Sequence, residues 1–186
     1  MTVAVVILAG GAGRRLGGVN KAGLLLPDGR THLAAILATA AEAGCGPVVV
    51  VAAAPHGDAV RALAGATPVV WNARPERGML SSLVCGLEAL GPAALGALAW
   101  PVDHARVGAS AVRAVLAAAD AERAVVPTFA GRGGHPTFFG RALWAELAAA
   151  VDGEGGARAV LGRVPARVTR VPVGDEGVVL DVDTPA

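Results

Sequence analysis

The stretch that decides the fold is "VAVVILAGGAGRRLGGVNKAGLLLPDG", residues 3–29. Val3 to Leu8 is an unbroken apolar run of strand length, without the alternation that a solvated face imposes, and it predicts a strand covered on both sides. The run opens directly into five glycines (Gly10, Gly11, Gly13, Gly17 and Gly18) and three cations, Arg14, Arg15 and Lys21. Glycine permits positive φ and close approach, so the backbone N–H groups of such a loop can converge on an anion, and a phosphate is the natural match. Two familiar phosphate loops do not fit. Walker A needs Lys followed by Ser or Thr after its last glycine, whereas Lys21 lies between Asn20 and Ala22. The dinucleotide fingerprint needs GxGxxG, but Gly11, Gly13 and Gly17 are spaced GxGxxxG, and no acidic residue ends the second predicted strand.

Outward from this stretch, short β-branched runs alternate with Ala/Leu-rich helical segments, the pattern of parallel strands joined by crossover helices. Thr31 caps a predicted helix to about Ala43, with Gly44 as its stop. Strands are expected at Val48 to Val51 and Val69 to Trp71, with a helix near Ala59 to Ala64 between them. Ser81 or Ser82 starts the next helix, "LGALAWPVD" is a fourth strand ending in a carboxylate, and Val112, Val115, Leu116 and Ala119 mark another helix. The second half is less regular. Arg123 to Val126 predicts a strand, "TFAGRGGHPTFF" a hairpin or long excursion, Leu143 to Val151 a helix, and Val168 to Val173 and Val178 to Val182 two late strands. If the last of these continues, alternation places Asp181 and Asp183 on one face. The expected architecture is a Rossmann-like three-layer α/β/α sandwich, mostly parallel with a mixed C-terminal part, and residues 1–186 read as one domain.

Composition narrows the function classes. The chain has 186 residues, 54% of them apolar, and a formal net charge of +1. That near-neutrality gives no global field for nucleic acid or an acidic membrane surface. Cys45 and Cys85 lie in apolar surroundings without CxxC or metal spacing and read as reduced core thiols. Without a leader-like start or an apolar run of membrane length, the chain reads as soluble and cytoplasmic, with no nucleic-acid or membrane partner.

"LAGGAGRRLGGVNKAGLL" resembles the MobA-like nucleotidyltransferase signature LA(A/G)GxSxRMGxxKxLL, of the family that includes the molybdenum cofactor cytidylyltransferases and guanylyltransferases. Further segments resemble the family in order: "NARPERGMLSSLVCGL", "PVDHARV", "GRGGHPTFFGR", "GEGGARAVL" and "LDVDTP". The resemblance implies transfer of CMP or GMP from a Mg²⁺-bound triphosphate to the phosphate of molybdopterin, releasing pyrophosphate. Such a step needs positioning and charge neutralisation more than a base, because the acceptor phosphate, with a second pKa of about 6, is already anionic.

By the same resemblance, Gly11, Ala12, Gly13 and Arg14 cradle the β- and γ-phosphates, with Arg15 as the loop arginine. Lys21 sits at the α-phosphate, and Leu8, Ala9 and Gly10 present backbone to the base. Asn72, Gly78, Ser81 and Ser82 complete the nucleotide site. Arg15, Lys21 and Asp103 are the catalytic candidates; Asp103 and Asp183 are the Mg²⁺ ligands, with Asp181 a weaker one. Gly134, His135 and Pro136 contact the acceptor, and Arg132 and Arg141 are further candidates for its phosphate; His104 flanks the site. A molybdoenzyme or its chaperone is an implied partner.

Leu16 replaces the family's Met and Ala105 a proline of the aspartate loop. The "LAGG" opening is commoner in the guanylyltransferase branch, whereas "SSL" and "GHP" look like the cytidylyltransferase branch, so both bases stay open. The rival readings are a transferase for another small phosphorylated acceptor, a silent nucleotide-binding module and an NAD-dependent dehydrogenase.

Overall fold

A computed structural model describes residues 2–11 and 18–181. The strands are β1 (Thr2–Leu8), β2 (Val48–Ala52), β3 (Val69–Trp71), β4 (Ala94–Pro101), β5 (Ala124–Phe129), β6 (Arg132–Gly133), β7 (Thr137–Gly140) and β8 (Val168–Pro172). The helices are α1 (His32–Glu42), α2 (Gly57–Ala64), α3 (Met79–Glu88), α4 (Ala109–Ala117), α5 (Trp144–Ala149) and α6 (Gly156–Arg163). The strands form one sheet in the order β3-β2-β1-β4-β7-β5-β6, with β8 parallel to β5 off this path. From β3 to β4 every pairing is parallel; β7 then runs antiparallel to both β4 and β5, and β6 antiparallel to β5. This is a three-layer α/β/α sandwich with a mixed, mostly parallel sheet.

β1 shows why its sequence is apolar throughout. Val5 and Ile7 pack beneath α1, α2 and α4 with Leu33, Ile36, Val60 and Val112. Ala4, Val6 and Leu8 face the other way, against Leu80, Leu83 and Leu87 of α3 and Leu147 of α5. Consecutive residues of an extended chain point to opposite faces, so two covered faces require apolar side chains at every position. Gly86 lets α3 approach closely, because a Cβ there would collide with Val6. Among the described residues no helix is long and apolar enough to cross a membrane.

Two expectations change. α3 begins at Met79 rather than at a serine, because Gly78, at φ +87°, makes the entry turn that a residue with a Cβ resists. The segment expected as a strand from Val178 forms a 3-10 turn, Glu176–Val179, instead; residue 182 lies outside the described residues. The Asp175 carboxylate accepts the N–H groups of Gly108 (2.8 Å) and Gly177 (2.8 Å) and folds the chain inward there. Val178 is thereby fully buried. The shared-face argument for Asp181 and Asp183 therefore has no strand to rest on.

Candidate functional site

β1 and β4 run side by side and parallel, with Leu8 opposite Pro101, so the loops leaving their carboxyl ends emerge together, where open α/β sheets place ligands. Asn20 caps a short 3-10 turn, Lys21–Gly23, by accepting the N–H of Ala22 at 3.1 Å. That cap fixes the backbone under Lys21. The Lys21 ammonium donates to the Asp103 carboxylate at 2.9 Å, each side chain 23% exposed. Behind Asp103 the indole N–H of the fully buried Trp100 donates to the carbonyl of His104 at 3.0 Å, holding the turn that presents the carboxylate.

At the tip of β3 the Asn72 amide donates to the hydroxyls of Ser81 (2.9 Å) and Ser82 (3.0 Å), and its oxygen accepts the N–H of Arg74 at 2.9 Å. Ser81 in turn donates to the Gly78 carbonyl at 2.8 Å. All three side chains are buried, and such groups are retained in a core only with their hydrogen bonds made. The network backs the glycine loop: a Cβ on Gly10 would lie 3.2 Å from that of Ala53 and 3.5 Å from the Ser82 hydroxyl. At Gly11 no described residue comes within 4 Å of the same position.

The third wall is the 134–136 turn, which ends in a cis His135–Pro136 bond. Gly134 donates its N–H to the Pro127 carbonyl (2.9 Å) and His135 to the Val178 carbonyl (2.7 Å). The His104 and His135 rings lie 4.7 Å apart between centroids. Burial, and then the nearby His104, push the His135 imidazole down to about 4, so it is neutral at pH 7. A cleft of about 1240 Å³ is lined by Leu8, Ala99, Gly78, Gly134 and His135 together with residues of α6.

The fold thus brings Lys21 to Asp103 and puts Leu8, Gly78, Gly134 and His135 on one cleft. Ala12, Gly13, Arg14, Arg15 and Asp183 lie outside the described residues. Arg141 is taken elsewhere: its guanidinium donates to the Gly91 carbonyl at 3.3 Å and stacks 4.2 Å over the Trp144 ring. His32 was not anticipated. It is the first residue of α1 and fully buried, with its pKa lowered chiefly by burial and opposed by the charge of Asp103. A lone histidine after a capping threonine carries no sequence signal for this. Arg77, Arg158 and Arg170, which also line the cleft, were likewise unmarked.

Among the described residues no group of three His, Cys, Asp or Glu side chains could hold a metal. Asp103 offers one hard, partly exposed carboxylate, a donor set that fits Mg²⁺ only when phosphate oxygens and water complete its shell.

Residues 5–168 match the family described as the MobA-like NTP transferase domain. Nicotine blue oxidoreductase of Paenarthrobacter nicotinovorans is 33% identical over 189 residues, covering 96% of this chain and 91% of that protein. The molybdenum cofactor guanylyltransferase of Acidiphilium cryptum (strain JF-5) is 44% identical over 84 residues, or 45% of this chain and 40% of that protein. The crystal structure of Rv0371c from Mycobacterium tuberculosis H37Rv is similar with a TM-score of 0.81 at 30% identity, over 99% of this chain and 93% of that one.

Proposed function

This chain belongs to the MobA-like NTP transferase family, and on that premise we propose that it transfers CMP or GMP from a Mg²⁺-bound triphosphate to the phosphate of molybdopterin. The observation that carries the reading is the Lys21–Asp103 pair at 2.9 Å, where the loops after two adjacent parallel strands meet. An oxygen of the acceptor phosphate attacks the α-phosphorus, the bond from that phosphorus to the bridging oxygen breaks, and pyrophosphate leaves. No proton need be removed from the nucleophile, which accords with the neutral, non-basic His135.

In this reading Gly10 and Gly11 present main-chain groups, and the same loop continues through Ala12, Gly13, Arg14 and Arg15 around the triphosphate. Leu8 and Ala9 bring the strand end to the base. Asn72, Ser81 and Ser82 act as the rigid wall behind the nucleotide, since their polar atoms are occupied by one another, while Gly78 admits it closely. Lys21 neutralises charge at the α-phosphate, where a compact ammonium acts as a point charge. Asp103, with Asp183, would hold Mg²⁺, whose chemistry when bound is to offset charge on the triphosphate. Gly134, His135 and Pro136 shape the acceptor side. Molybdopterin draws support from the name of the Acidiphilium relative; another small phosphorylated acceptor is the alternative.

A second reading is favoured by one observation, the near full-length match to an oxidoreductase. A nicotinamide enzyme of this topology would carry a carboxylate for the ribose at the end of β2, where this chain has Ala52, Ala53 and Ala54. The test is thermal unfolding with CTP, GTP, ATP or NAD, each with and without Mg²⁺. A ligand at about 100 times its dissociation constant adds roughly 2.7 kcal/mol. We expect a Mg²⁺-dependent shift with CTP or GTP; a shift with NAD alone would overturn the transferase reading.

A further inference from the structure

The outer wall of the 1240 Å³ cleft carries charge that the transfer chemistry does not use. Arg132 on β6, Arg158 on α6 and Arg170 on β8 all line it, and among the described residues no aspartate or glutamate does. Among the described residues none of the three forms an ion pair. Arg30 is paired with Asp28, Arg113 with Glu42, and Arg167 with Glu146 and Glu122. Arg77, the fourth arginine of the cleft, is held by Asp152, which does not line it.

Three unmatched guanidinium groups from separate elements repel one another, and a concave wall concentrates their field. With no carboxylate lining the cleft among the described residues, an anionic ligand is the group that would match them. The backbone makes room for them as well. Arg170 lies opposite Val126 of β5, and a side chain on Gly133 would start 3.2 Å from Val126 Cγ1 and 3.5 Å from Arg170 Nη1. The same cleft has apolar lining as well, from Leu83 and Phe139. Lys21 and Asp103 do not line the cleft, so the arginines serve another end of the ligand than the one that reacts.

We propose that the acceptor carries a second anionic group, separated from its reacting phosphate by an apolar body, and that Arg158 and Arg170 read that distal group. The planar fork of arginine suits carboxylate, phosphate or sulfonate, each able to accept two parallel hydrogen bonds. The assignment rests on the transferase reading for its term "acceptor", but its binding chemistry can be measured alone.

The experiment titrates the protein with 1,5-naphthalenedisulfonate and with 1-naphthalenesulfonate, followed by probe fluorescence, in the wild type and in Arg158→Ala, Arg170→Ala and Arg163→Ala. Arg163 lies on the same helix but not on the cleft. We expect the disulfonate to bind about tenfold tighter, the advantage to fall to about twofold or less in the first two variants, and Arg163→Ala to retain it. Equal binding of the two probes, or an advantage that survives both replacements, would overturn the proposal. Each variant is also melted with Mg²⁺ and CTP or GTP. An absent triphosphate shift beside a retained disulfonate preference sinks the transferase reading while supporting the dianionic ligand; the reverse pattern overturns the dianionic ligand alone.

Discussion

The two halves of the sheet handle polar groups in opposite ways. In the parallel half the side chains at the strand tips satisfy one another: Lys21 with Asp103, and Asn72 with Ser81 and Ser82. In the mixed half the backbone does the fixing, through Gly134 on Pro127 and His135 on Val178, while Arg132, Arg158 and Arg170 of the cleft have no carboxylate partner among the described residues. The first arrangement is set before any ligand arrives, as electrostatic catalysis requires of charges aimed at a transition state. The second is receptive, since its arginines gain their partners only on binding. A constant reaction with a variable acceptor would be expected to divide its residues in this way.

Removing the central charge of the preset half tests it most severely. Asp103→Ala is expected to lower Mg²⁺-dependent pyrophosphate release by about 100-fold or more, while the melting temperature moves little, because an ion pair this exposed contributes little stability. Unchanged turnover would remove Asp103 from the site.

The backbone-fixed half should break differently. A Cβ at Gly134 would collide with the main-chain carbonyl of Val178, with no flexible side chain to yield. Gly134→Ala is therefore expected to cost about 2–3 kcal/mol in urea unfolding. Gly11→Ala, which meets no described residue within 4 Å, should leave stability unchanged; equal midpoints for the two variants would contradict this division of labour.

The effect of His135 is absent at neutral pH and emerges only as the pH falls. Its pKa is pushed down to about 4 in the folded chain, so below the unfolded value of about 6.5 the unfolded chain binds the extra proton. Stability is then complete above pH 6.5 and falls as the pH drops towards 4, by up to about 3 kcal/mol from this group. His135→Asn should flatten that part of the pH–stability curve. A slope identical to the wild type would place the ring in water rather than against the cleft.

Much of the parallel half was legible because its signals are local. The Val3 to Leu8 run, the Thr31 cap and the Gly44 stop each depend on neighbours within a few residues, and each is where the sequence predicts it. The C-terminal turn was not legible. Val178, Val179 and Leu180 have strand composition, yet the Asp175 carboxylate binds an amide 67 positions away in the chain and turns the segment inward. Ser81 has a cap's identity too, but Gly78 takes the helix start and Asn72 takes the hydroxyls.

By itself the sequence determined the layered α/β/α fold and the family, since apolar periodicity and motif order are properties of the chain alone. Only the tertiary structure decided that Lys21 meets Asp103, that Arg141 is spent on Trp144 and that Arg132, Arg158 and Arg170 share one wall. Those meetings depend on strand register and on how closely each helix packs on the sheet. Apart from Arg141 and Trp144 they join residues a dozen or more positions apart, and no local pattern of side chains encodes such a distance.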